Sequence, residues 1–233
     1  MGGIMDKKDI EKLARELQLQ IWDKRKKIWP ERREHSPMAV LDPEVAAWVL
    51  GIEYDKFEEL GRFGDRNARY EVAGLLDREN SRIAVSKKFP METVRFTGAH
   101  EIGHWLLHKE GETMHRDRPI KGLEPATIRP PREREADHFA ACFLMPGKLV
   151  TDAFEATYGH SPLVFDDNVA FRLCPSDPDS LLRPYGDGGM DRALALAAAE
   201  HYGGRHFNSM AKRFGVSVTS MAIRIKELGL IRE

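Results

Sequence analysis

The sequence predicts an α+β fold, mainly helical with a small β-sheet and followed by a C-terminal helix-turn-helix-like helical unit. Three observations point to it. Apolar residues recur at helical spacing over 6–29, 95–108 and 132–146. Two short segments, Tyr70 to Leu76 and Arg82 to Ser86, read as strands on either side of the tight polar loop Asp77-Arg78-Glu79-Asn80. Finally, Phe207 to Leu228 sets Gly215-Val216-Ser217 between two apolar-faced helices.

Composition bounds the rest. At 233 residues, with 42% hydrophobic and 31% charged, the chain has the make-up of a globular protein with one main domain and a smaller unit. No apolar run approaches the roughly 20 residues of a membrane span. The start, MGGIMDKKDI, has no hydrophobic signal region, and Asp6 stands where a myristoylation signal wants Ser or Thr. A cytoplasmic location without membrane attachment is expected. Cys142 and Cys174 are too few for a disulfide framework and are expected to be reduced thiols.

The net charge of −1 conceals a distribution. Residues 1–40 hold ten Lys/Arg against seven Asp/Glu, residues 201–233 hold six against two, and the remainder therefore carries −8. Mildly basic ends are compatible with a nucleic-acid contact and do not require one, so direct DNA binding is left open.

In chain order, Ile10, Leu13, Ala14, Leu17, Ile21 and Ile28 form the stripe of a first helix, with Arg25, Lys26 and Lys27 in its last turns before Pro30. Those cations read as a solvated helix end, with a partner surface as the alternative. Asp42-Pro43-Glu44 starts a second helix that Gly51 ends. The turn-rich Gly61 to Asn67 precedes the two strands. The resulting small sheet should lie against the next helix, where its edge could hold an extended peptide by strand addition.

That next helix, RFTGAHEIGHWLLH, is the chemically informative one. His100 and His104, four apart, face one way and can point imidazoles at one ion. Glu101, a quarter-turn round, sits beside that ion, where it can take a proton from water. Ala99, Ile102, Trp105 and Leu106 cluster on the opposite side, which is expected to dock the helix. His108 continues the histidine face, but a rise of about 12 Å from His100 leaves it as a polar contact at the end of the cleft. Gly103 is unfavourable in a helix by about 1 kcal/mol relative to Ala, which suggests a close approach by a second helix or by substrate.

Lys109 to Pro131 reads as a long surface loop, with His115 as a surface residue that could assist chemistry. The helix that follows, REREADHFAACFLMP, has an apolar stripe of Ala136, Phe139, Ala140, Phe143 and Leu144. Glu133 falls inside the stripe and Asp137 at its margin, whereas Glu135 falls outside. A carboxylate on a buried face needs a compensating partner, and a divalent ion is one. Glu133 is the candidate third ligand, with Glu135 as the fallback, a helix-dipole contact as the alternative for Glu133, and Asp137 as an anchor for a ligand imidazole.

The two stretches together resemble the ImmA/IrrE metallopeptidases, whose pattern is a His-Glu-x-Gly-His helix and then a Glu-x-x-Ala-Asn/Asp-x-Phe-Ala helix ending in Leu-Met-Pro. The likeness runs from about residue 41 to 150. It implies a zincin-like fold with His100, His104 and Glu133 as zinc ligands, Glu101 as general base, and cleavage of a transcriptional repressor in a bacterial stress or mobile-element switch. The N/O donor set admits manganese as well as zinc. A competing reading is a DNA- or protein-binding regulator whose metal domain is a sensor or scaffold.

After Pro146 a helix is expected around Lys148 to Tyr158, then an irregular linker rich in Pro and Gly up to Gly189. Tyr158 and His160 are candidate oxyanion donors. Asp191 to His201 is an Ala-rich helix, and the outward face of the last helix is expected to carry Thr219, Ser220, Ile223, Arg224 and Lys226. So few basic residues favour packing or protein recognition over base readout. The organisation expected is an N-terminal amphipathic helix over 1–40, a metallopeptidase domain over 41–165, a linker or insertion over 166–190 and the helix-turn-helix-like unit over 191–233.

Overall fold

A computed structural model describes all residues except 1–4, 65–68, 110–113, 118–128, 183–187 and 233. Expectations for the rest of the Gly61–Asn67 turn, for most of the 109–131 loop and for Gly186-Asp187 lie outside the described residues. The chain divides into two compact units, 1–144 and 145–233.

The first unit runs α1 (Lys7–Ile28), a 3-10 turn (Pro37–Val40), α2 (Pro43–Leu50), β1 (Glu53–Phe57), β2 (Arg62–Phe63), β3 (Tyr70–Glu71), β4 (Gly74–Asp77), β5 (Arg82–Ser86), α3 (Met91–Leu107), β6 (Met114–Asp117) and α4 (Pro131–Leu144). Asp6 caps α1; as expected, Asp42 caps α2 and Gly51 ends it in the left-handed region at φ 73°. The α1 stripe of Ile10, Ala14, Leu17 and Ile21 is buried. Gln18 of α1 donates to the carbonyls of Cys142 and Phe143 at 3.2 and 2.9 Å, capping the C-terminal turn of α4 from the side.

Tyr70 to Leu76, expected as one strand, divides into β3, which pairs with β2, and β4, which forms the expected antiparallel hairpin with β5, Asp77 opposite Arg82. Two further strands complete a mixed sheet in the order β1-β5-β4-β6, β1 parallel to β5 and β6 antiparallel to β4. Neither carries the apolar alternation that marks a strand, because β1 reads EYDKF and β6 reads MHRD. β6 lies within the expected surface loop, which corrects that reading for residues 114–117.

α3 is the centre of this unit, against which α2, β4, β5 and α4 pack. The expected two-faced helix is corrected: from Val94 to His104 the buried positions go all the way round, whereas Trp105 and Leu106 are only half-buried. The apolar docking side is real in Ala99 and Ile102, both fully buried, but the histidine side is buried too. On α4, all five residues of the expected stripe are fully buried. Gly103 meets that stripe, since a Cβ there would stand 3.2 Å from Ala136 Cα, from Ala136 O and from Phe139 Cβ. Of the two expected neighbours of Gly103, the second helix is the one found.

The second unit runs α5 (Gly147–Tyr158), β7 (Leu163–Val164), α6 (Asp167–Leu173), α7 (Asp179–Leu182), α8 (Gly188–Ala198), β8 (His201–Tyr202), β9 (Arg205–His206), α9 (Met210–Phe214), α10 (Val218–Glu227) and β10 (Ile231–Arg232). The expected irregular linker contains α6 and α7. α6 is capped by Asp166, which accepts from the Val169 N–H, and buries Val169, Ala170 and Leu173. Two turns of helical periodicity are too short to stand out from the flanking Cys-Pro and Asp-Pro turn signals.

α9 and α10 are capped by Ser209 and Ser217 and separated by Gly215 at φ 62°. The α10 stripe of Met221, Ala222 and Ile225 is buried as expected, but Arg224 is buried with it instead of facing outward. Its Nε donates to the Met145 carbonyl at 3.0 Å and its Nη1 to Glu227 Oε2 at 3.2 Å. Tyr158 is buried against Phe154 and Tyr202, and its hydroxyl donates to the Leu196 carbonyl at 2.6 Å, which commits it to packing. Cys142 and Cys174 are free thiols.

Candidate metal centre

One helical turn brings the Nε2 atoms of His100 and His104 to 2.9 Å from each other. α4 adds Glu133 from the facing side, its Oε2 3.4 Å from His100 Nε2 and its Oε1 3.3 Å from His104 Nε2. His115 of β6 joins them, its Nε2 3.5 Å from Glu133 Oε1. These four residues can hold a metal ion, with one donor atom of each lying within 4.8 Å of all the others. Three imidazoles and a carboxylate are the donors that divalent transition ions take.

Glu101 tests whether a cation fits. It is fully buried, and neither carboxylate oxygen has a hydrogen-bond partner among the described residues. Burial, reinforced by the charge of Asp117, pushes its carboxyl well above the usual carboxylate range. Such an acid is costly inside a protein unless a positive charge or a proton compensates it. The fold also makes room for it. At Gly74 of β4 a Cβ would stand 2.4 Å from Glu101 Oε1 and 2.5 Å from Thr97 Cγ2, so any larger residue there would displace the carboxylate.

The far sides of the imidazoles are occupied. His100 Nδ1 lies 2.9 Å from Asp137 Oδ1, the anchoring position expected for that aspartate. His104 Nδ1 lies 2.9 Å from His108 Nδ1, and His108 Nε2 lies 2.9 Å from Glu135 Oε2. Glu135, read as outside the stripe, is thus drawn in behind His108 and also accepts from the Met5 N–H. Arg129, itself buried, donates to Glu133 Oε2 at 3.2 Å, places its Nε 3.2 Å from Asp137 Oδ2 and reaches Asp117 Oδ1 at 3.8 Å.

These neighbours set opposite protonation tendencies. Burial disfavours the charged form of His100, yet Asp117, Asp137 and Glu133 together raise its pKa well above the ordinary value. Burial pushes His104 down to about 3, the neutral form that ligates metals. Glu133 is held well below the carboxylate range, because the hydrogen bonds from His100 and His104 outweigh its burial.

His115 and Asp117 were not read as part of a site. Alternate residues of a strand share a face, so β6 turns both toward α3, with Asp117 Oδ2 3.6 Å from His100 Nε2. Arg116 turns the other way, over the Phe63 ring. The signal available in the sequence was the His-x-Asp spacing within an otherwise polar tetrapeptide. Arg129 and Gly74 left no such signal.

Residues 57–162 match the family described as IrrE N-terminal-like domain. Over these residues the chain is similar to the ImmA/IrrE-family metallopeptidase domain. The matched span begins and ends later than the 41–150 expected from the two motifs, taking in β4, β5, β6, both motif helices and α5 but only the last residue of β1. A comparison with curated proteins finds no match to the chain. The mainly helical α+β unit with its small mixed sheet fits the zincin-like fold that this similarity implies. No helix among the described residues is long and apolar enough to cross a membrane.

Proposed function

We propose that the chain is a cytoplasmic, zinc-dependent endopeptidase that cleaves a protein substrate, a helix-turn-helix transcriptional repressor, in a bacterial stress or mobile-element switch. His100, His104 and Glu133 would hold the ion and Glu101 would serve as general base. The observation that carries this reading is the buried, unpartnered Glu101 carboxylate set beside a convergent His/Glu donor set. A bound divalent ion would supply Lewis-acid polarisation of the attacking water and the scissile carbonyl.

The chain's own groups do the rest. Glu101 accepts a proton on its carboxylate and returns it to the leaving amine, a role suited to an acid whose burial favours the protonated form. Asp137 orients His100, and the His108–Glu135 pair orients His104. Arg129 engages Glu133 Oε2, which leaves Oε1 toward His104 and His115. The N/O donor set admits both zinc and manganese, and zinc is the ion proposed here.

The test is incubation of the purified chain and of its Glu101→Gln variant with the product of a neighbouring repressor gene, followed by mass spectrometry. New fragments are expected from the first alone, with equal zinc content in both. Intact repressor in both samples would count against the peptidase reading. A regulator with a sensing or scaffolding metal remains the second reading, favoured by the fact that four protein donors converge where a catalytic zinc needs only three. Regulation that survives Glu101→Gln unchanged in cells would select it.

A further inference from the structure

We propose that His115 is a displaceable fourth ligand, closing the metal centre at rest and giving way when a peptide substrate enters. The proposal rests on the metal reading above and adds a residue outside the two motifs. Its first support is geometric. Ligand bonds of roughly 2.0–2.1 Å in a tetrahedron put donor atoms about 3.3–3.4 Å apart. Glu133 Oε1 meets that spacing with His104 Nε2, at 3.3 Å, and very nearly with His115 Nε2, at 3.5 Å, while its Oε2 lies 3.4 Å from His100 Nε2 and the two helix imidazoles approach to 2.9 Å. The His115 ring packs against the His104 ring with centroids 4.3 Å apart, and a donor atom of His115 lies within 4.8 Å of one from each of the other three residues.

The second support is the difference in how the donors are held. His100 and His104 sit mid-helix in the most enclosed element of their unit, with side chains 0% and 6% exposed, and Glu133 is locked by Arg129. The His115 side chain is 27% exposed. It comes from a four-residue strand at the end of the sheet, held in the ladder, among the described residues, by β4 alone. Edge strands of this kind can take an added peptide strand. The same element that would receive the substrate backbone therefore carries the ligand that has to leave, so substrate pairing along β6 and opening of the fourth position are coupled.

A closed four-donor set and an open three-donor set differ measurably without any turnover. In the full chain, zinc affinity is measured by competition with a chromophoric chelator for the wild type, His115→Ala and His115→Gln, with thermal denaturation to check folding. Binding of a peptide hydroxamate to the cobalt-loaded proteins is followed by visible absorption. Both variants are expected to lose zinc affinity on the order of tenfold while binding the hydroxamate more tightly, because nothing has to be displaced. Unchanged zinc affinity with weaker hydroxamate binding would overturn the proposal and make His115 a hydrogen-bond donor to substrate. A wild-type chain that takes up no zinc, or a His100→Ala variant that keeps it, would overturn the metal reading itself.

Discussion

α3 and α10 each bury charged side chains, and they do so in opposite ways. On α10, Arg224 is 3% exposed, and its Nε and Nη1 donate to the Met145 carbonyl and to Glu227. On α3, Glu101 is fully buried with neither oxygen hydrogen-bonded to a described residue, while two imidazoles one turn apart point at the same space. A buried charge that its own fold pairs with a carboxylate is structural, and removing it costs stability. A buried charge left uncompensated beside convergent donors is a cost that only a cation, a proton or a reacting molecule can remove.

The sharpest way to break this contrast is Glu101→Gln. It should lower the turnover of the cleaved repressor about 10²–10⁴-fold with zinc content and melting temperature nearly unchanged. Retained cleavage would put Glu101 on the structural side of the comparison. On the other helix, Arg224→Ala should destabilise the second unit by roughly 3 kcal/mol, read by denaturant unfolding, with no change in zinc affinity. An equally stable variant would show that the buried guanidinium contributes nothing net.

Smaller effects sharpen the boundary between the two kinds of residue. Asp137→Asn keeps the size of the side chain but removes the charge beside His100 Nδ1, and it should weaken zinc binding about 10–100-fold without unfolding the chain. Gly103→Ala should be the mildest. The added methyl presses on the Ala136 backbone at 3.2 Å, and the gain in helix propensity of about 1 kcal/mol offsets part of an overpacking cost of roughly 1–3 kcal/mol. A net loss of about 1 kcal/mol, measured by thermal unfolding, is expected, and a clear gain would mean that α3 and α4 have slack between them.

Much of the architecture was legible because helices announce themselves by period. The α1 stripe, the cap at Asp42, the stop at Gly51 and the five-residue stripe of α4 are all local patterns legible from neighbouring residues. β1 and β6 were not legible, because their side chains are mostly polar and their pairing is made by backbone groups, which every sequence has. Arg224 was read as outward from its charge. A guanidinium can be buried when a carbonyl and a carboxylate meet it, and a carbonyl 79 residues away cannot be seen in a local pattern.

The same division runs through the candidate site. His100, Glu101 and His104 are one turn of one helix, so their mutual placement follows from 3.6 residues per turn and nothing more. Glu133 could be named because a lone carboxylate inside an apolar stripe is anomalous wherever the helix goes. Tertiary structure alone decided that His115 and Asp117 face α3, that Arg129 gathers the carboxylates of Asp117, Glu133 and Asp137, and that Gly74 opens the space for the Glu101 carboxylate. Those relations depend on which strand pairs with which and on how closely two helices approach, distances that no periodicity in the chain encodes.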